Sequence, residues 1–276
     1  MYILGFETTG VRGSVALCDL ETKKIREKST KKPMEHLKNI TELASELLRE
    51  EGIKPSKLSA VAASIGPGSY TGIRIGVSSA RAVAQALDIR CLSVPSLEMF
   101  REKCDGRRGC AVIVNARRGQ VYGAVYGSCG EEILAPGAYM LKDVTSAVDA
   151  IKFPGQAAGS RGKMSAIRSE AADICAAKEK LHNIVFYGDG VTEYLKDERF
   201  AHLLQGRTFA EDSDLLPTAG MVVRYALKMW ERGETCEFAD LLPEYMRETE
   251  AEQKLKDGTL AKLRAKKMES LMGGHK

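Results

Sequence analysis

The sequence predicts an α/β protein built from a duplicated unit, and two observations carry that prediction. The first is a recurrence. An apolar run from Tyr2 to Phe6, a polar turn from Glu7 to Gly13, an alternating strand from Ser14 to Cys18 and a third strand around Lys24 to Lys28 open the chain. The same order returns about 109 residues later: Ala111 to Val114, a turn through Asn115, Arg117, Arg118 and Gly119, then Val121 to Tyr126 and Glu131 to Leu134. The second observation is the β-α-β-α-β order that follows the first hairpin, which calls for a mixed sheet with helices packed on it.

Each element has its own signal. Met34 to Glu50 reads as a helix because Leu37, Ile40, Thr41, Ala44, Leu47 and Leu48 share one face. Ser59 to Ile65 is an apolar strand that Gly66-Pro67-Gly68 stops. Thr71 to Leu87, free of proline and rich in small residues, is a second helix, and Ile89 to Val94 a further strand. In the second half, Ile184 to Tyr187 is a strand ending in Gly188-Asp189-Gly190. Thr218 to Trp230 is a helix capped by Thr218, with Ala219, Val222, Val223, Ala226 and Trp230 on one side. Gly155 to Lys180, rich in Ala, Ser, Gly and charge, receives no assignment. The expected division is a lobe over 1–108, a second over 109–250 whose helix 218–230 packs back on the first, and a tail over 251–276.

Charge sharpens that division. The chain of 276 residues has 41 Lys and Arg against 37 Asp and Glu. The tail alone holds seven basic and three acidic residues, so residues 1–250 are formally neutral and the surplus is terminal. A neutral body argues against a broad phosphate-binding face. Within the tail, Leu255, Leu260, Leu263, Met268 and Leu271 alternate with lysines, the pattern of a short amphipathic helix or of a solvated terminus. No apolar run approaches the ~18–20 residues of a membrane span, and the N-terminus shows no signal-peptide pattern. Seven scattered cysteines without a C-x-x-C pair point to free thiols in a reducing, cytoplasmic setting.

Searches for catalytic motifs exclude more than they find. Gly66-Pro67-Gly68-Ser69-Tyr70-Thr71-Gly72 misses the dinucleotide fingerprint because Thr71 stands at the third glycine, and Ser69 lacks the flanking glycines of a nucleophile elbow. Gly162-Lys163 lacks the hydroxyl and first glycine of a P-loop. The four histidines, His36, His182, His202 and His275, include no pair at helical spacing, so no catalytic or metal-binding set is expected.

Two loops remain. Glu7-Thr8-Thr9-Gly10 offers hydroxyls, amides and a carboxylate to a phosphate or hydrated cation, or simply builds a turn. Gly66, Gly68 and Ser69, with Arg74 just beyond, lead into a helix whose first turn is a natural anion site, or form a tight strand-to-helix turn. In that helix Gly72, Gly76, Ala80 and Ala84 repeat every four residues beside Ser79, Val83 and Leu87. Such a stripe lets a second backbone approach closely, within the fold or across an interface.

Ser64-Ile65-Gly66-Pro67-Gly68-Ser69-Tyr70-Thr71-Gly72-Ile73-Arg74-Ile75-Gly76 closely resembles the signature of the TsaB (YeaZ) family, a subunit of the bacterial machinery that makes threonylcarbamoyladenosine (t6A) in tRNA. Ile3 to Thr9, Asn115 to Tyr122 and Pro243 to Arg247 resemble further family motifs in the expected order, so the resemblance extends to about Leu255. It implies the duplicated fold of actin, sugar kinases and Hsp70 ATPases (ASKHA). Glu7 and Asn115 stand where the family usually has aspartate. The resemblance implies a non-catalytic subunit that binds a TsaD-type catalytic subunit and helps a TsaE-type ATPase dock, in threonylcarbamoylation of N6 of adenosine 37 in tRNAs reading codons that begin with A. It also implies a homodimer when the chain is alone. The interface would use Leu37, Ile40, Gly72, Ile73, Gly76, Ser79, Ala80 and Val83. No tightly bound cofactor is expected; ATP or ADP would belong at the junction with the partner, and tRNA would be met through the complex or weakly through the tail. Two competing readings are a kinase of the same fold, using Glu7 and the Gly188-Asp189-Gly190 turn, and a metal-dependent glycopeptidase. Partner-free ATP hydrolysis sensitive to Glu7→Gln would mark the first, and stoichiometric metal the second.

Overall fold

The computed structural model describes residues 1–30, 36–152 and 183–246, with 36–38 and 152 described by backbone alone. The opening hairpin pairs β1 (Tyr2–Glu7) with β2 (Ser14–Asp19), and β3 (Ile25–Ser29) continues the meander. After α1 (His36–Glu50), β4 (Leu58–Gly66) lies parallel to β1, and after α2 (Tyr70–Leu87), β5 (Arg90–Pro95) lies parallel to β4. The sheet order is β3-β2-β1-β4-β5.

The second sheet repeats this arrangement. β6 (Gly109–Asn115), β7 (Gln120–Tyr126) and β8 (Glu132–Met140) form the antiparallel meander. Then come α3 (Leu141–Lys152), β9 (Ile184–Tyr187) parallel to β6, α4 (Asp189–Lys196), α5 (Ala201–Leu204) and β10 (Thr208–Phe209) parallel to β9. Its order, β10-β9-β6-β7-β8, is that of the first sheet strand for strand when read from the other end. The duplication expected from the sequence is therefore present in pairing direction as well as in order.

Burial explains why the strands read as they do. Leu4 and Phe6 of β1 face a core shared with Ile40, Ala44, Ile73 and Val77, while the other face lies against α6 (Ala219–Glu231), where a Cβ on Gly5 would meet Val223 and Val222. Covered on both faces, β1 and β4 are nearly continuous apolar runs rather than alternating ones. Thr218 caps α6 as expected, its hydroxyl accepting from the Met221 amide, and the buried Ser14 hydroxyl accepts from the Ala219 amide at 2.7 Å. In the second sheet Ala111, Ile113, Val121 and Val125 pack on Leu141, Val144 and Val148 of α3 and on Val191 and Tyr194 of α4.

Some elements differ from expectation. β8 runs on to Met140, beyond the expected Leu134: Pro136 and Gly137 break the strand signal but are tolerated because β8 is an edge strand. Asp189 opens a helix instead of ending a strand; Gly188 turns the chain there at φ 97. Residues 155–180, the tail 251–276, Cys175 and the side chains of His36 and Leu37 lie outside the described residues. Met1–Glu244 form one compact unit that contains both sheets. Among the described residues no helix is long and apolar enough to cross a membrane.

Candidate functional site

The site is the junction of the β1–β2 turn with the loop that carries β4 into α2. Glu7 ends β1 fully buried, and one carboxylate oxygen accepts from the Thr9 amide at 2.6 Å and the Thr9 hydroxyl at 2.5 Å. Burial outweighs these bonds and holds the Glu7 carboxyl above its ordinary range. The neighbouring hydroxyl, on Thr8, donates to the Gly72 carbonyl at 2.7 Å, and the Thr9 carbonyl accepts from the Ser69 amide at 2.8 Å. Ser69 caps α2, its side chain accepting from the Gly72 amide at 3.2 Å.

The two loops offered by the sequence as anion-facing thus close on each other. Thr8 is 0% exposed and Thr9 5%, so their hydroxyls face the interior and not an open cradle. Gly68 is needed for this closure, and Gly66 for the approach of the Glu244 backbone to the same loop. Gly66 sits at φ 125, and a Cβ there would fall 2.3 Å from the Glu244 carbonyl oxygen; a Cβ on Gly68 would fall 2.6 Å from Thr9 Cβ. Arg74 is not part of the loop cluster. It lies on the exposed side of α2 with its guanidinium 5.5 Å from the Tyr70 ring centroid.

The small-residue stripe is also occupied from within. A Cβ on Gly72 would lie 1.9 Å from the Thr8 carbonyl oxygen, and one on Gly76 would lie 2.3 Å from Thr8 Oγ1. Gly72, Ile73, Gly76 and Ala80 are buried inside the chain, as is Ile40 of α1, so these five are core residues and not the docking surface that the sequence suggests. Ser79 and Val83 are half-buried. The outward side of α2 is made instead by Tyr70, Thr71, Arg74, Ile75 and Ser78, which line an open groove of about 340 Å³. Sequence reasoning missed this face. Its signal was present in the complementary i, i+4 rows, Tyr70-Arg74-Ser78 and Thr71-Ile75, which mix aromatic, charged and hydroxyl side chains.

The second repeat builds the same junction from other residues. Asn115 ends β6 as Glu7 ends β1, and its side-chain oxygen accepts from the Arg117 amide at 2.8 Å, again two residues on. Asp189, at the start of α4, accepts from the Asn115 amide at 2.9 Å, and burial raises its carboxyl above the ordinary range. Tyr194 closes the turn through its hydroxyl, 2.6 Å from the Gln120 carbonyl and 3.1 Å from Asn115 Oδ1.

Two equivalent five-stranded sheets, each with a helix after its third strand and one or two helices after its fourth, define the duplicated actin-like architecture of sugar kinases and Hsp70 ATPases. A family model described as tRNA N6-adenosine threonylcarbamoyltransferase (TsaD) matches residues 30–254. The chain belongs to this family, and within it to the TsaB (YeaZ) group. It is 36% identical over 129 residues to the tRNA threonylcarbamoyladenosine biosynthesis protein TsaB of Bacillus subtilis (strain 168), across 46% of this chain and 55% of that protein. It is 30% identical over 97 residues to the protein of the same name from Escherichia coli (strain K12), across 34% of this chain and 42% of that protein. The chain thus spans about half the length of the curated relatives it matches. A solved structure from Pseudomonas aeruginosa, an uncharacterized protein with similarity to peptidase YEAZ, shares the fold with a TM-score of 0.62 at 24% identity, over 89% of this chain and 99% of that one.

Proposed function

We propose that this chain is a non-catalytic subunit in the threonylcarbamoylation of N6 of adenosine 37 in tRNAs reading codons that begin with A. It docks a TsaD-type catalytic subunit and assists a TsaE-type ATPase in the cytoplasm. The observation that carries the reading is the division of labour on α2. The family signature places its small residues against the chain's own Thr8 and leaves Tyr70, Thr71, Arg74, Ile75 and Ser78 facing outward as a groove. An amphipathic partner helix fits such a face, with Tyr70 and Arg74 as the anchors that desolvated interfaces favour. A second copy of the chain would use the same face when no partner is present. The carboxyl groups of Glu7, bonded within its own turn, and of Asp189, bonded to the Asn115 amide of the facing turn, support a structural use of both junctions. Nucleotide, in this reading, binds at the junction with the catalytic partner, and tRNA is met mainly through the assembled complex.

The test is size-exclusion chromatography of the full chain with and without a catalytic subunit from the same source, paired with a threonylcarbamoylation assay on tRNA. Ile75 is half-exposed in the groove, so Ile75→Arg should leave the fold intact, abolish co-elution and remove the stimulation of the catalytic partner at least tenfold. Unchanged co-elution and unchanged stimulation would show that the docking surface lies elsewhere.

A further inference from the structure

After α6 the chain returns to the first sheet and runs along the free edge of β5. There Cys91 and Cys236 face each other as an isolated antiparallel pair. The Cys91 amide donates to the Cys236 carbonyl at 2.8 Å, and the Cys236 amide donates to the Cys91 carbonyl at 2.9 Å. Residues directly opposite in such a pair project their side chains to the same face. Cys236 Sγ confirms that direction, lying 3.6 Å from Ser93 Oγ, since Ser93 is two residues from Cys91 and shares its face. Cys91 belongs to the apolar core of the first sheet, and Cys236 packs against that same core. In hydrogen-bonded antiparallel pairs the Cα atoms stand about 5.5 Å apart, within the ~4.4–6.8 Å that a disulfide spans, and the Cβ atoms, about 5.5 Å apart, must close by about 1 Å to reach the ~3.5–4.5 Å of the bridged form.

The two thiols differ in access. Cys91 is 0% exposed, and burial pushes its thiol up to about 11, whereas Cys236 is only half-buried. We propose that Cys91 and Cys236 form a redox-reactive dithiol site, which a small disulfide oxidant closes to an intramolecular disulfide. With glutathione disulfide the steps balance as follows. The Cys236 thiolate attacks one glutathione sulfur, breaking its S–S bond and releasing one glutathione thiolate. The Cys91 thiol, losing its proton, then attacks the Cys236 sulfur of the mixed disulfide and releases the second. The protein gives up two protons and two electrons, and one glutathione disulfide becomes two glutathione molecules.

Closure would fasten a segment that already braces the loop leading into α2. Leu241 of this segment is fully buried, the Glu244 amide donates to the Ile65 carbonyl at 2.8 Å, and the Glu244 carbonyl lies where a Cβ on Gly66 would be. A covalent bridge at Cys236 therefore anchors one end of a strap whose other end braces the loop into α2. The site depends only on this geometry and stands apart from the t6A reading.

The experiment is to incubate the reduced full chain with glutathione disulfide under native, mildly alkaline conditions, trap free thiols with N-ethylmaleimide and map peptides without reduction. A Cys91–Cys236 linked pair should dominate, with a rise in melting temperature of several degrees that dithiothreitol reverses. Cys236→Ser, which keeps a hydrogen-bonding group beside Ser93, should lose both the link and the rise while retaining the native circular dichroism spectrum. Folded protein in which Cys236 carries glutathione and Cys91 stays free would overturn the proposal, as would a link seen only in denaturant or one confined to Cys104 and Cys110.

Discussion

Replacing Gly76 with alanine distinguishes a helix stripe packed within the chain from one left open for a partner. In the exposed interior of a helix, glycine to alanine is stabilising by about 1 kcal/mol. Here the new Cβ would fall 2.3 Å from Thr8 Oγ1 and 3.5 and 3.6 Å from Thr8 Cβ and Cγ2. The hydroxyl must move, and its 2.7 Å bond to the Gly72 carbonyl goes with it. Losing that bond costs about 0.5–1.5 kcal/mol, leaving the buried Thr8 hydroxyl without its acceptor about 1–3 kcal/mol, and overpacking contributes about 1–3 kcal/mol. These terms overlap, and after the helix gain the expected net loss is about 1–3 kcal/mol, read as a lower urea midpoint at unchanged m-value. Thr8→Ala alone should also destabilise, by roughly 1–2 kcal/mol through the lost hydrogen bond and methyl group. Combined, the two should be less damaging than their sum by at least about 1 kcal/mol, because the second alanine removes the atom that the first one strikes. A single Gly76→Ala variant about 1 kcal/mol more stable than the wild type, with additive behaviour in the pair, would refute the packing assigned to α2.

Two further outcomes follow from buried polar groups. Because burial raises the Glu7 carboxyl in the folded chain, its stability contribution is complete below the ordinary carboxylate value of about 4.5 and is lost as pH rises toward the folded value, since only the unfolded chain releases the proton. Melting temperatures of Glu7→Gln and wild type compared from pH 4 to 8 should therefore shift in favour of the variant as pH rises, and parallel curves would count against the assignment. Ser14→Ala strips the buried Ala219 amide of its acceptor, so denaturation should show a loss of about 1–2 kcal/mol; a loss under about 0.5 kcal/mol would mean that another group satisfies that amide.

Much of the fold was legible because its signals are local. The strands of the two meanders, the Gly66-Pro67-Gly68 stop and the Thr218 cap each act within a few residues, and nearly all fell within two residues of their observed ends. α4 was missed because its first turn contains Gly190, a poor helix former, held where a Cβ would be 2.6 Å from the Ile113 carbonyl oxygen. That close approach is long-range and leaves no periodic trace. The candidate site was legible as a motif but not as a surface. Spacing shows that Gly72, Gly76 and Ala80 share a face, whereas what fills that face depends on Thr8, 64 residues earlier, reaching the Gly72 carbonyl.

The two repeats indicate why the junctions took this form. In each, the last residue of the first strand folds a side-chain oxygen onto the amide two residues ahead: Glu7 onto Thr9, Asn115 onto Arg117. In each, the segment after the fourth strand then seals the turn, through the Ser69 amide on the Thr9 carbonyl in one case and through Asp189 on the Asn115 amide in the other. The local bond survives replacement of a carboxylate by an amide, because an acceptor oxygen is all that it needs. The physical requirement common to both turns is therefore a corner pinned by one acceptor oxygen; the second carboxylate oxygen of Glu7, buried in the first corner, has no hydrogen-bond partner among the described residues. In the first repeat that corner fixes the inward face of α2 and so determines which residues the helix presents outward.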